Sequence, residues 1–272
     1  MNPMLADEEL FGSPSRIALM KRSGALWSLL KENPRYAYYG RTVALSDIAD
    51  DTADILCSLA RVQGVGVAYY FPKVSAPNLF ATLEARGFST DRHEHYWGGE
   101  SAFQASRAIL AQHSLPQDLT LSALDRHTPR AFVAEVAELC QSCDVMPVPG
   151  PIMRGETCPG ISLVASDGNG RPVASASCFV LHHPSSSHAG DVFWGMLATR
   201  EDRRGEKIAL VIGAKTIVHM WENEGARGFM TGVRKDNASS RMLCNKLGVG
   251  DTEWIYAQCL DTELLGSSSL TK

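Results

Sequence analysis

The chain has 272 residues, of which 44% are hydrophobic and 21% charged, proportions that allow a buried core and exclude a disordered or collagen-like polymer. Lys and Arg number 26 against 30 Asp and Glu, a formal charge of −4. The balance is even along the chain, 11 basic and 12 acidic residues through position 115 and 15 and 18 after it, so no broad nucleic-acid footprint and no nucleic-acid partner are expected.

The N-terminal segment MNPMLADEE has no basic stretch followed by an apolar one, so no secretory signal is expected and the chain is assigned to the cytoplasm. No run approaches the roughly 18 apolar residues that span a bilayer, so no membrane partner is expected. Residues 35–45 (RYAYYGRTVAL) have the aromatic and β-branched character of a strand, and 47–62 show helical spacing through Ile48, Ala53, Ile55, Leu56 and Leu59. A strand follows at 65–71 between Gly64 and Pro72. A short helix at 78–86 is stopped by Gly87, and a further strand is expected after Phe88.

The composition shifts at HSLPQD, 113–118, which divides the chain into a small α/β unit, 1–115, and a larger domain, 116–272. In the larger part, 119–124 reads as a strand, 129–140 as an amphipathic helix, and 146–151, with three prolines and a glycine, as a loop. Strands at 161–165 and 172–181 are joined by DGNG, a sequence suited to a hairpin turn. A polar loop, 182–190, leads to a strand at 191–199.

That strand runs through the charged turn 200–204 into Gly205 and a strongly apolar helix over 208–223. Free N–H groups at a helix start, the positive end of its dipole and adjacent arginines together suit a phosphate, though a plain strand-to-helix connection with solvated basic residues reads equally well. Another strand follows at 228–233, then a helix capped by 236–240 and ending near Lys246-Leu247-Gly248-Val249, then a closing strand at 254–259. Trp194 and Trp254 read as core aromatics, and the tail 266–272 as disordered.

These residues resemble the GCN5-related N-acetyltransferase (GNAT) family over 117–262. The family's acetyl-CoA motif, Q/R-x-x-G-x-G/A after the fourth strand, matches Arg204-Gly205-Glu206-Lys207-Ile208-Ala209 at all specified positions but one. Its downstream signature matches Asn237, Ser240 and Leu247-Gly248-Val249, and 170–174 looks like its preceding hairpin. The resemblance implies an α/β (α+β) fold with a mixed central sheet flanked by helices and a smaller N-terminal α/β unit. It also implies acetyl-CoA as acyl donor, its pantetheine pairing with the backbone of Leu197, Ala198 and Thr199, and its pyrophosphate on Gly205 to Ala209 beside Arg204. Asn237 would contact the pantetheine, or simply cap its helix.

Two positions depart from the family. Lys207 stands where glycine is usual and either crowds the phosphate or supplies a cation. Cys244 stands where many members carry the tyrosine that protonates the leaving thiolate, and is either a weak acid in that role or a small buried hydrophobe. Asp191 matches the placement of the base in histone-type members, or is a strand-start aspartate.

Residues 78–88 resemble the closing helix and Gly-Phe turn of the same family, so the first part reads as a degenerate second copy without its cofactor loop, or as an unrelated appendage. Seven cysteines, Cys57, Cys140, Cys143, Cys158, Cys178, Cys244 and Cys259, fit reduced thiols, and neither Cys140-x-x-Cys143 nor His93-x-His95 has the companions of a metal site. His182, His183 and His188 fall in a loop expected to be flexible and polar. Loops 146–158 and 182–190 are expected to border the acceptor pocket. The function implied is direct acetyl transfer to an amine of an unidentified acceptor. The alternatives are a non-catalytic acyl-CoA-binding regulator and an acyltransferase using a longer acyl-CoA.

Overall fold

Apolar residues at helical spacing dictate the longest buried helix of the second half, Ile208–Asn223, in which Ile208, Leu210, Val211, Ile212, Ile217 and Met220 are all buried. The computed structural model describes residues 9–266. In chain order the elements are α1 (Pro14–Leu30), β1 (Tyr36–Ala37), β2 (Ala44–Leu45), α2 (Thr52–Gln63), β3 (Val65–Pro72), α3 (Ala76–Ala85), β4 (Ser89–Gly98) and α4 (Glu100–Gln112). There follow β5 (Thr120–Ala123), α5 (Arg130–Ser142), α6 (Gly150–Met153), β6 (Gly160–Ser166), β7 (Pro172–Val180), β8 (Asp191–Thr199), α7 (Ile208–Asn223), β9 (Gly228–Val233), α8 (Ala238–Lys246), β10 (Gly250–Leu260) and α9 (Thr262–Leu265). The architecture is α/β, with one mixed sheet flanked by helices.

All ten strands form a single sheet in the order β1-β2-β3-β10-β4-β9-β8-β7-β6-β5. Two series of elements repeat along the chain. β2, α2, β3, α3 and β4 run in the same order as β8, α7, β9, α8 and β10, and in each series the first two strands pair in parallel. Each series also ends its short helix at a left-handed glycine, Gly87 (φ +86) or Gly248 (φ +70), where a side chain would be strained. The last strands are exchanged: β4 pairs antiparallel with β9, and β10 pairs antiparallel with β3 and β4. Neither half closes its own sheet.

Alternation along β8 sends successive aromatics to opposite faces. Phe193 joins a core with α1, α5 and α6, while Trp194 joins the core beneath α7 and α8. A further cluster lies between α2, α3 and the β3–β10 region. α4 packs on α7, with Phe103 stacked on Trp221 at 5.0 Å.

Several expectations are revised. The strand over 35–45 is two short strands joined by a turn at Gly40 (φ +98), because a Cβ there would sit 2.5 Å from Ile152. The loop at 146–151 runs into the short helix α6. The helices α1 and α4, which the sequence reading did not single out, flank the first series; α1 starts at Ser13, whose hydroxyl accepts from the Arg16 N–H, with Pro14 following. Of the tail, Gly266 ends α9 in a left-handed cap, and 267–272 lie outside the described residues. Among the described residues no helix is long and apolar enough to cross a membrane.

Candidate active site

β8 and β9 pair only through Asp191↔Gly228, Val192↔Phe229 and Phe193↔Met230, then part. The cause is visible in β8. Its register with β7 passes from Ser177↔Gly195 to Ser175↔Ala198, three steps along β8 against two along β7. Such a bulge bends its strand and leaves one residue's amide outside the ladder. Met196 at that point has φ +50, uncommon for a residue with a side chain, and its carbonyl accepts from the Ser175 hydroxyl at 3.0 Å.

The parting opens a cleft of about 700 Å³ between Trp194–Leu197 of β8 and Thr231–Val233 of β9, roofed by the starts of α7 and α8. At its rim the chain enters α7 through Gly205 (φ +89) and Lys207 (φ +63, ψ 13). The left-handed conformation of Lys207 explains why glycine suits that position. The first N–H groups of α7 have no intrahelical acceptor and carry the positive end of the dipole. Arg204, Lys207 and Lys246 line the cleft, and among the described residues none of them makes an ion pair. Arg203, by contrast, is held by Asp118 and Glu206 at 2.9 and 2.7 Å and serves to fix the turn. The result is an electropositive rim over backbone donors, chemistry suited to phosphate.

Leu197, Thr199, Arg204, Gly205, Lys207, Ile208, Ala209, Asn237, Ser240 and Cys244, ten of the residues expected from the sequence, all line this cleft. Three do not. Ala198 is buried in the core on the opposite face of β8, as alternation requires. Glu206 is turned outward onto Arg203. Asp191 lies at the far end of β8, six residues and roughly 20 Å of extended strand from Leu197. It accepts hydrogen bonds from the Tyr70 hydroxyl at 2.8 Å and the Trp97 indole at 3.0 Å, with the His188 ring 3.6 Å away. Burial raises its pKa, but the bonds from His188, Trp97 and Tyr70 outweigh burial and hold it below the ordinary value. Asp191 therefore stands outside the cleft's lining, held by the first half of the chain.

Asn237 uses its side-chain oxygen to accept from the Ser240 N–H at 3.0 Å and so caps α8, leaving its amide nitrogen for other contacts. Cys244 is buried, and burial pushes its thiol up to about 12, so it stays protonated at neutral pH. Cys143 also lines the cleft and donates to the Thr199 carbonyl at 3.3 Å, whereas Cys140 is buried in the core beside Ser175.

The loop 182–190, expected to be flexible and polar, carries exposed residues at Pro184, Ser185, Ser187 and Gly190 but is tied down by its histidines. His182 is buried, with Nδ1 2.7 Å from the Ser46 hydroxyl, and His188 stacks on Tyr70 at 3.6 Å. Neither it nor its neighbours border the cleft; of the two loops expected there, only 146–158 contributes, through Met146. Sequence reasoning missed a second space. A pocket of about 100 Å³ opens off the cleft and shares Arg41, His93, Met146, Phe193 and Gly232 with it. Its remaining wall comes from Tyr39, Thr42, Val67, Tyr69, Tyr256 and Gln258, mostly the first half and β10. The alternations Val67-x-Tyr69 and Tyr256-x-Gln258 were the only sequence signal for it. Burial pushes the His93 ring down to about 4, with the Arg234 cation adding to it, so His93 is neutral at physiological pH.

Compared by sequence, the chain matches no protein-family model and no curated protein. Compared by structure, it resembles a GCN5-related N-acetyltransferase from Kribbella flavida with a TM-score of 0.55, at 14% identity over 92% of this chain and 96% of that one. It also resembles a tandem GNAT protein from the clavulanic acid biosynthesis pathway (without AcCoA), with a TM-score of 0.53 and 12% identity over 80% of this chain and 74% of that one. A GCN5-related N-acetyltransferase-like protein from Streptococcus suis 89/1591 gives 0.52 and 16%, covering 84% of each chain. By these neighbours the chain has the GNAT fold, and the order of strands and helices in the second half recurs in the first.

Proposed function

We propose that the chain is an acyl-CoA-dependent N-acetyltransferase that uses acetyl-CoA as donor and an amine as acceptor. The observation that carries this reading is the parting of β8 from β9 beneath the unpaired cations at the start of α7. The pyrophosphate would rest on the N–H groups of Ile208 and Ala209, with Arg204 and Lys207 beside it. The pantetheine would run along the open edge of Leu197 to Thr199 as an added strand and reach the Asn237 amide nitrogen. The thioester carbonyl then lies near the bulge at Met196 and Leu197, whose amide outside the ladder is available to an oxyanion. The acceptor nitrogen attacks that carbon, the carbon–sulfur bond breaks, and the amine proton finishes on the departing thiolate.

Calorimetric titration with acetyl-CoA should show saturable binding near one site per chain. Arg204→Ala should weaken it by about 10-fold to 100-fold, through lost charge-assisted phosphate contacts. Unchanged affinity would remove the cleft's rim from the site. Lys207→Gly should raise stability by up to about 1 kcal/mol by relieving the left-handed side chain, while lowering acetyl-CoA affinity. A rise in melting temperature with unchanged affinity would mean that Lys207 does not reach the phosphates.

One observation favours a second reading, binding without turnover. The Cys244 thiol, pushed up to about 12 at the position of the family's tyrosine, is a poor proton donor to a thiolate. Thiol release from acetyl-CoA with an acceptor present separates the two readings, and a preference for longer acyl-CoAs in the same titration would shift the donor assignment.

A further inference from the structure

Three residues that line the small pocket behind the cleft each carry a buried polar atom without a hydrogen-bond partner, namely Arg41 Nε, the Tyr256 hydroxyl and Gln258 Oε1. Buried polar groups are almost always satisfied within a folded chain, so three such atoms around one space point to a ligand that satisfies them. Arg41 is the strongest signal. Among the described residues its guanidinium has no carboxylate partner, and its other nitrogens contact the Tyr39 hydroxyl at 3.4 Å and the Met146 carbonyl. It is held over the rings of Tyr39 and Phe193, at 5.5 and 5.4 Å from their centroids. A cation so oriented, half-buried and facing a pocket, suits a carboxylate.

Tyr256 and Gln258 stand two residues apart on β10 and so face the same side of the sheet. Gln258 is fixed because its amide nitrogen lies 2.7 Å from His93 Nδ1, which leaves Oε1 to accept from a ligand. We infer that this pocket is the acceptor site and takes a small primary amine that carries a carboxylate and a hydrogen-bonding side chain, an amino acid of the serine or asparagine type. The inference rests on the donor reading above. The carboxylate binds Arg41, the side chain reaches Tyr256 and Gln258, and the amine projects past His93 into the cleft. A pocket of about 100 Å³ suits a small molecule. In the transfer, the amine nitrogen forms the new bond to the acetyl carbon, the carbon–sulfur bond breaks, and one amine proton passes to the thiolate. The products are the N-acetyl amino acid and CoA thiol.

The test pairs each amino acid with its decarboxylated counterpart, L-serine with ethanolamine and L-asparagine with 3-aminopropanamide. Direct binding is measured by calorimetry without any donor, and thiol release with acetyl-CoA. The amino acids should bind and turn over at least about tenfold better than their counterparts. Arg41→Gln, with Arg41→Lys in case the first does not fold, should erase that preference chiefly through KM. Acetyl-CoA binding with equal use of both members of each pair, or with use of neither, would overturn the acceptor assignment and leave the donor site standing. Amino-acid binding without acetyl-CoA binding would overturn the donor reading instead and keep the pocket.

Discussion

Lowering the pH from 7 to 5 is expected to destabilise the fold by on the order of 6 kcal/mol, through three buried histidines on and beside the central strands. His93, His95 and His182 are buried, and burial pushes the ring of His93 down to about 4 and those of His95 and His182 down to about 3. In the unfolded chain each would titrate near 6.5. Below that value the unfolded chain takes up protons that the folded one refuses, so stability falls by about 1.4 kcal/mol per pH unit for each ring until its folded value is reached. Above pH 6.5 these rings contribute no slope. Asp191 works in the same direction but only below its ordinary carboxylate value, outside this interval. Total stabilities of about 5–15 kcal/mol are usual, so the loss is a large part of the whole. Urea midpoints at pH 7.5, 6.5 and 5.0 measure it. Equal midpoints at 6.5 and 5.0 would mean that none of the three rings is held neutral in the fold.

Trp194→Ala is expected to cost about 3–5 kcal/mol, the range for removing a fully buried large aromatic. Trp194 is wholly buried, and its indole N–H is shared between the Gly213 carbonyl at 3.3 Å and the Thr216 hydroxyl at 3.2 Å, both on α7. A Cβ on Gly213 would sit 3.1 Å from the Trp194 ring, so glycine there permits the close approach of α7 to β8. The side chain therefore also ties the middle of α7 to β8. Trp194→Phe keeps most of the apolar contact and loses the hydrogen bonds, with an expected cost of about 1–2 kcal/mol. Chemical denaturation of both variants gives the comparison. A loss below about 1 kcal/mol for the alanine variant would mean that the core repacks around the gap.

Much of the second half could be read directly. β8, α7 and β9 stand where the apolar runs and the glycine-containing turn put them, because a short apolar run bounded by turns and a long apolar face each suit one kind of element. The cation-rich turn was readable for the same local reason. That Asp191 stands apart from the cleft's lining was not readable, because counting back along a strand measures distance and not which end of the strand faces the cleft. The bulge at Met196 left no local signature, since it depends on the register of β8 against β7.

By itself, then, the sequence determined most of the element types after residue 117, though not the short helices α6 and α9, together with the resemblance to the GNAT pattern and the cluster of donors that opens α7. Those features arise from residues within a few positions of one another. Only the tertiary structure decided that β4 and β10 are exchanged between the repeated series, that His95 and His182 are buried, and that Arg41 meets Tyr256 and Gln258 around one pocket. The physical reason is common to all three: each follows from strand pairing between residues far apart in the chain, where the closing strand of each series finds its partners in the other.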